Sequence, residues 1–506
     1  MDSAAGPVVG QLLGRRALLD GDREAIVCGE RRLTFAEFDD LTGRLAAMLS
    51  DHGIARGTRV AALLYNGIEF CALYHAIARL GAILCPVNWR LASPEVAYIL
   101  QHCGAELLLF DAAFAQTVAD LPDIAGLRHQ IDIGDGDGQR FSERLANYQP
   151  IGEACPAEPE DPLLIVYTSG TTGRPKGAVL SQSQMVWSSI TMVYTVDYRH
   201  GDVGLISAPM FHVGGLSFAT LFVHMGATAV LTPVWEPDTV LGLIEREAIN
   251  HFFAVATMLE GLTGAGAFAE AGLDSLRWVM SGGGPLPVSL VDAFAARGIP
   301  LVQSYGTTET AGPATVVPTA RAVAKAGASG LPFFHTDIRL IDASGSAVTG
   351  EPGGEIQIRA PHIATGYWEN PEATRDAFDR GWFRTGDVGY LDSDGYLHVK
   401  GRLKEMIISG GENVYPAEVE RVLETHPQIA DVAVIGVPDP QWGEAVCAVV
   451  DSGQSDPPGL DELTAHCGGR LAKYKHPKRL VIHSGPLPRN QMGKLLRDDI
   501  RKTITD

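Results

Sequence analysis

The chain has 506 residues, 46% of them hydrophobic, and a formal net charge of −20 at pH 7. That length can bury several cores and predicts more than one domain. The acidic balance excludes nonspecific binding to nucleic acid or anionic membranes, so a polyanionic ligand has to meet a local basic pocket.

Seven cysteines (Cys28, Cys71, Cys85, Cys103, Cys155, Cys447, Cys467) are scattered without a CxxC pair or metal spacing. Free thiols in a reducing cytoplasm are expected. The N-terminus lacks a basic segment followed by an apolar core, so no signal peptide is read. The apolar region from Leu216 to Val234 is interrupted by His224, Gly226 and Pro233. It predicts a buried helix followed by a strand, not a transmembrane segment. Peripheral contact with a membrane stays open.

In chain order, Thr34-Phe35-Ala36-Glu37 is a capping box opening a helix whose apolar residues Phe38, Leu41, Leu45 and Leu49 recur at three- and four-residue spacing. A strand at 59–65, a helix to Leu80 and a strand at 83–86 follow. Ser93 and Pro94 have the character of N-cap and N1 of another helix, and 107–110 reads as a strand. The stretch 134–162 is polar and reads as a surface connection. Leu163-Leu164-Ile165-Val166 is a buried strand. Further strands are predicted at 203–208, 228–232, 252–256, 278–281 and 301–304. The alternation implies α/β architecture, with parallel-type sheets covered by helices. From Gly330 the texture changes to short alternating runs, Ile338–Ile341 and Glu355–Arg359, which predict a small antiparallel sheet or barrel. Beyond Gly401-Arg402, a helix at 417–425, strands at 431–437 and 445–451 and a helix at 460–474 make a compact α+β unit. The expected domains are 1–401 and 402–506.

Directly after the buried strand comes Tyr167-Thr168-Ser169-Gly170-Thr171-Thr172-Gly173-Arg174-Pro175-Lys176-Gly177. Its glycines allow close backbone approach, its hydroxyls and N–H groups donate to phosphate oxygens, and Lys176 adds a point charge. It is not a Walker A loop, because Gly177 follows Lys176 and Pro175 precedes it. Ser304-Tyr305-Gly306-Thr307-Thr308-Glu309-Thr310 sits past a strand end, where α/β sheets bind ligands. There Tyr305 could cover a purine and Glu309 could hold Mg²⁺, a hard cation that prefers oxygen. Trp382-Phe383-Arg384-Thr385-Gly386-Asp387 offers a carboxylate in a turn, suited to a ribose diol or simply to capping that turn.

These stretches occur in order with Gly401-Arg402-Leu403-Lys404-Glu405, with Ile407-Ile408-Ser409-Gly410-Gly411-Glu412-Asn413-Val414-Tyr415-Pro416 and with Pro488-Arg489-Asn490-Gln491-Met492-Gly493-Lys494. Together they resemble the adenylate-forming superfamily, over nearly the whole chain. Pro209-Met210-Phe211-His212-Val213-Gly214-Gly215 and the Gly410-Gly411 stretch bring it nearest to bacterial fatty-acyl- and aryl-CoA ligases. The resemblance implies that Thr168, Ser169, Gly170, Thr171, Thr172, Gly173 and Lys176 cradle the ATP β- and γ-phosphates. It implies that Gly282, Gly283, Gly284 and Pro285, with Ser304, Tyr305, Gly306 and Thr307, frame adenine. Thr308 would touch the α-phosphate, Glu309 the Mg²⁺, and Asp387 and Arg402 the ribose. Lys494 would stabilise charge on the α-phosphate and the attacking carboxylate. Lys404 matches the hinge about which the small domain turns between half-reactions. Gly410 and Gly411 match the lining of the pantetheine tunnel, and His212 a gate between acyl pocket and thiol channel.

The implied reaction converts a carboxylic acid, ATP and coenzyme A to an acyl-CoA thioester, AMP and pyrophosphate. The implied acyl walls, 211–218, 281–284 and 306–313, are rich in small residues and carry no evident deep cation. They suit an apolar or bulky monocarboxylic acid, fatty, aryl or alicyclic. A homodimer is allowed by the sequence. Gln182, where many relatives carry His, Gln491-Met492 before Gly493-Lys494, and an additional glycine in Ser281–Gly284 depart from the pattern. They leave open a member specialised in thioester formation from a supplied adenylate. Transfer to a carrier protein is a further alternative. A non-catalytic nucleotide-binding protein is disfavoured by the presence of Lys176, Glu309, Asp387 and Lys494 together.

Overall fold

A computed structural model describes residues 6–134, 139–152, 157–168, 175–409, 412–453, 456–468, 470–471, 473–490 and 493–505. The chain forms two compact units, the larger comprising 1–337 and 358–383 and the smaller 338–357 and 384–506.

The larger unit is built on two mixed sheets. One has seven strands, in the order Gly366–Tyr367, Lys176–Ser181, Pro162–Thr168, Ile83–Pro86, Arg59–Leu63, Leu107–Phe110, His129–Asp132. Its last five strands run parallel, while Lys176–Ser181 returns antiparallel beside Pro162–Thr168. Leu163 to Val166 are wholly buried, as a strand covered on both faces requires. The other sheet has nine strands, with Leu301–Thr307, Trp278–Ser281, His251–Phe253, Val203–Ile206, Thr228–Leu231 and Glu24–Cys28 parallel at its centre. The apolar region after residue 212 forms the helix Val213–Met225 and the strand Thr228–Leu231. Among the described residues no helix is long and apolar enough to cross a membrane.

Local signals fix several elements. The Thr34 capping box is present, its side chain accepting from Glu37 N–H while the Glu37 carboxylate accepts from Thr34 N–H at 2.8 Å. The next predicted cap shifts by one residue. Ala92 is the N-cap of the helix Ser93–Cys103, because the Glu95 carboxylate accepts from Ala92 N–H at 2.9 Å. The strand expected at 252–256 ends at Phe253, since Ala256 opens the helix Ala256–Gly264. The helix expected at 460–474 stops at Cys467, where Gly468 N–H turns back to the Thr464 and Ala465 carbonyls.

In the smaller unit, strands Asp431–Asp439 and Gly443–Asp451 pair antiparallel along their whole length, and Arg479–Ile482 joins the second of them in parallel. The helices Pro416–Leu423 and Leu460–Cys467 cover one face, where Val419, Leu423, Leu463 and Cys467 are buried. Leu487 and Ile500, the latter from the helix Arg497–Thr505, pack on the other face. The same unit carries the antiparallel pair Trp382–Leu391 with Leu397–Arg402 from residue 384 onward.

Candidate active site

Each group implied by the motifs has a definite local setting. In the larger unit, Thr168 and Lys176 face each other as register partners at the feet of the loop expected to bind phosphate. Ser169, Gly170, Thr171, Thr172 and Gly173 lie outside the described residues. The feet are braced from below: Tyr98 donates to the Pro175 carbonyl at 3.3 Å, and His102 Nδ1 shares a 2.8 Å hydrogen bond with the Tyr167 hydroxyl. Gly177 has no room for a side chain, because a Cβ there would lie 2.6 Å from Ile165 Cγ2.

The Lys176 ammonium stands 5.4 Å from the centre of the Tyr367 ring. The Tyr367 hydroxyl donates to Glu309 Oε1 at 2.6 Å. Lys176, Tyr367 and Glu309 are therefore brought together. Glu309 occupies the short 3-10 turn Thr308–Thr310 and is 8% exposed. Ala364 N–H donates to the Glu309 carbonyl at 2.8 Å. His362, fully buried, donates from Nδ1 to the Thr310 carbonyl at 2.7 Å and accepts from the Thr336 hydroxyl at 3.1 Å. Tyr367 and His362 were not found from the sequence, and no local pattern marks them. A carboxylate that is held by one phenol keeps lone pairs for a hard cation, so Glu309 fits Mg²⁺.

The strand Trp278–Ser281 delivers Ser281-Gly282-Gly283-Gly284-Pro285 beside Ser304, whose hydroxyl donates to the Ser281 carbonyl at 3.0 Å. A Cβ on Gly282 would sit 2.7 Å from Ser304 Oγ, and Gly283 has φ +81°, so both positions require glycine. A Cβ on Gly284 would meet nothing within 4 Å. Tyr305, Gly306 and Thr307 finish the neighbouring strand Leu301–Thr307. The Thr307 hydroxyl is buried without a partner among the described residues.

His212 is the N-cap of the helix Val213–Met225. Its Nε2 is buried and unpartnered among the described residues. Burial first, then the charge of Arg90, push its pKa down to about 4, so the imidazole is neutral at pH 7. Phe211 lies 6.1 Å from Trp89, and the exposed Arg90 guanidinium covers that Trp ring at 4.6 Å. Trp89 and Arg90 were missed by sequence reasoning. Gln182 is fully buried, accepting from Gly10 N–H at 3.1 Å and donating to the Ala78 carbonyl at 3.0 Å. That departure is a satisfied core amide.

In the smaller unit, Asp387 and Arg402 are register partners across an antiparallel pair, with Arg402 Nε 2.9 Å from Asp387 Oδ1. Asp387 is thus on a strand, not in an isolated turn, although Gly386 before it has φ +68°. Lys404 is exposed in the turn Leu403–Glu405. Lys494 follows Gly493 in a turn organised by Asn490. Asn490 Oδ1 accepts from Lys494 N–H at 2.9 Å, and Asn490 N–H donates to the Lys494 carbonyl at 2.7 Å. The Lys494 side chain reaches solvent, yet protein atoms around its ammonium lower its pKa. Desolvation acts first, then Arg402, against the opposing charges of Glu405 and Asp387. Gly410, Gly411, Gln491 and Met492 lie outside the described residues. Lys478 stands 4.9 Å over the half-exposed Trp442 ring and donates to the hydroxyl of Ser409, the residue before Gly410 in sequence, at 3.2 Å.

Residues 13–368 match the family described as AMP-binding enzyme, and residues 418–494 match the AMP-binding enzyme C-terminal domain. The chain belongs to this adenylate-forming family, in its acyl-CoA synthetase branch. It is 39% identical over 502 residues to a long-chain-fatty-acid–CoA ligase, FadD13, of Mycobacterium tuberculosis, with 98% of each chain covered. It is 39% identical over 497 residues to an indoleacetate–CoA ligase of Aromatoleum aromaticum, covering 97% of each. The solved o-succinylbenzoate CoA synthetase of Bacillus subtilis, in complex with its acyl-adenylate intermediate, superposes with a TM-score of 0.87 at 32% identity, covering 99% of each chain.

Proposed function

We propose that the protein is an AMP-forming acyl-CoA ligase for an apolar or bulky monocarboxylic acid. In the first step the acid's carboxylate attacks the ATP α-phosphorus, and pyrophosphate leaves. In the second the coenzyme A thiol attacks the acyl carbonyl, the C–S bond forms, and AMP leaves. Carboxylate and triphosphate repel, so the first step needs cationic groups at the reacting phosphorus. Lys494 is the group we assign to that task. The observation that carries the reading is the Asp387–Arg402 pair, assigned to ribose, whose charges act on the Lys494 ammonium.

Thr168 and Lys176 would receive the departing pyrophosphate, with Ser169 to Gly173 completing the cradle. Gly282 to Pro285 and Ser304 to Thr307 would frame adenine, and Thr308 would meet the α-phosphate. Glu309 would hold Mg²⁺, which when bound neutralises phosphate charge. Tyr367 orients the Glu309 carboxylate through its hydroxyl, and Lys176 is assigned to the phosphates. Neutral His212 suits a gate through which an uncharged acyl carbon and a thiol must pass. Gly410 and Gly411 would line the pantetheine path. The moving domain begins at 402 on this reading, with Lys404 as hinge. The free cysteines, Cys71, Cys85, Cys103, Cys447 and Cys467 of them buried, suit a reducing cytoplasm. Light scattering tests the homodimer.

A panel of acids assayed with ATP, Mg²⁺ and coenzyme A, following pyrophosphate, AMP and thioester separately, decides the reading. Pyrophosphate release without thioester would overturn it. Thioester from synthetic acyl-adenylates alone would assign the enzyme to the second step. Best turnover with acetate or malonate would overturn the substrate class.

A further inference from the structure

The turn that carries Lys494 is held on both sides by arginines. Before it, Arg489 binds the Asp431 carboxylate and donates to the Gly493 carbonyl at 2.6 Å. After it, Arg497 opens the last helix and places Nη2 2.6 Å from both oxygens of Glu420, which is 6% exposed. Glu420 also accepts from Val434 N–H at 2.7 Å, and Arg497 Nε reaches the Val434 carbonyl at 3.4 Å. That part of the network is a satisfied core pair and needs no further partner. Yet Arg497 has a second acidic neighbour: Nη1 lies 3.3 Å from Glu405 Oε2.

Glu405 is the residue directly after Lys404, in the same short turn. One guanidinium thus holds the turn next to the proposed hinge with one arm. With the other it anchors the backbone three residues past Lys494. A planar fork fixes both distance and direction, which a lysine could not do. We infer that Arg497 and Glu405 are positioning residues for adenylation: they hold Lys494 at a set distance from the Leu403–Glu405 turn, so that displacement at the hinge is passed to Lys494 without slack. This rests on the reading of Lys494 as the adenylation cation.

The two acids separate positioning from folding. Glu420 is the buried core partner, whereas Glu405 is partly open to solvent, its side chain 23% exposed. Glu405→Gln keeps shape and removes the charge that Arg497 reads. Arg497→Lys keeps charge and removes the fork. For each variant, adenylation is measured as pyrophosphate release and thioester formation is measured from synthetic acyl-adenylate, with Lys494→Ala as reference. A misplacement near 1 Å costs about a hundredfold in a positioned reaction. The expected result for Glu405→Gln is a fall of about tenfold in adenylation kcat, KM for ATP within about twofold and thioester formation unchanged. Arg497→Lys should show the same split. Equal depression of both half-reactions in Glu405→Gln, or unaltered adenylation in both variants, would overturn the inference while Lys494→Ala still abolishes adenylation. Intact adenylation in Lys494→Ala would instead remove the reading beneath it.

Discussion

The Tyr367 hydroxyl donates to Glu309 Oε1 at 2.6 Å, across a sequence separation of 58 residues. The phenol fixes the rotamer of a carboxylate that sits on a tight turn. Hydrogen bonds to charged groups contribute about 1.5–3 kcal/mol. Tyr367→Phe should therefore raise the Mg²⁺ concentration needed for half-maximal adenylation by about tenfold, with little change in melting temperature. An unchanged Mg²⁺ dependence would show that Tyr367 does not orient Glu309.

Two adjacent glycines separate packing from pocket. A Cβ on Gly215 would lie 2.8 Å from Met210 Cα and 2.9 Å from two backbone carbonyl oxygens. Gly215→Ala should cost about 1–3 kcal/mol and lower the melting temperature. A Cβ on Gly214 would meet only Phe253 Cε1, at 3.9 Å. Gly214→Ala should fold normally and shift acid preference toward smaller acyl groups. A matching loss of stability in both variants would contradict this assignment.

Three histidines make the larger unit acid-sensitive. Burial pushes the pKa of His75 down to about 3, and those of His212 and His362 to about 4, from 6.5. All three are depressed, so the folded protein keeps them neutral while the unfolded chain protonates. Stability is then fully present above pH 6.5 and falls as the pH is lowered toward 4. Between about pH 6.5 and 5 each histidine should cost on the order of 1–2 kcal/mol. A urea midpoint that stays constant over that window would count against buried, neutral imidazoles.

Asp202 anchors a second core network. Arg277 places Nη1 and Nη2 each 2.6 Å from its two carboxylate oxygens, Arg199 N–H donates at 2.8 Å, and His251 Nε2 lies at 3.3 Å. Burial alone would raise the Asp202 pKa, but Arg277 and His251 hold it well below the usual carboxylate range. Asp202→Asn should destabilise the larger unit by about 3 kcal/mol, because Arg277 loses its buried charge partner and keeps only the half-exposed Asp197 carboxylate, 3.5 Å from Nε. A loss below the error of chemical denaturation would show that the network relaxes without cost.

What could be read from the sequence follows the range of the signal. Leu163–Val166, Trp278–Ser281 and Ile83–Pro86 appear as strands where hydrophobic runs place them, because a buried strand is written in consecutive residues. The Asp387 and Arg402 motifs are visible too, but not their pairing, which depends on the register of Trp382–Leu391 against Leu397–Arg402. The Ser93 cap moves because a glutamate three residues on can satisfy the N–H of Ala92, a competition that composition does not resolve. Tyr367, His362, Arg497 and Glu405 lie dozens of residues from what they hold. Their roles belong to tertiary structure, which local periodicity does not encode.

The bracing of the Glu309 turn by His362, Ala364 and Tyr367 sets an order on synthesis. Most strands of the sheets that flank this turn are encoded before it, but its braces emerge later, Tyr367 trailing Glu309 by 58 residues and closing the seven-stranded sheet with the strand Gly366–Tyr367. At about 5–20 residues per second, the nascent chain spends roughly 3–12 s with that carboxylate made but not yet fastened. A translational pause between codons 310 and 362 should lengthen this interval, and a fragment ending before residue 362 should leave the turn unbraced and the strand Lys176–Ser181 without its neighbour Gly366–Tyr367.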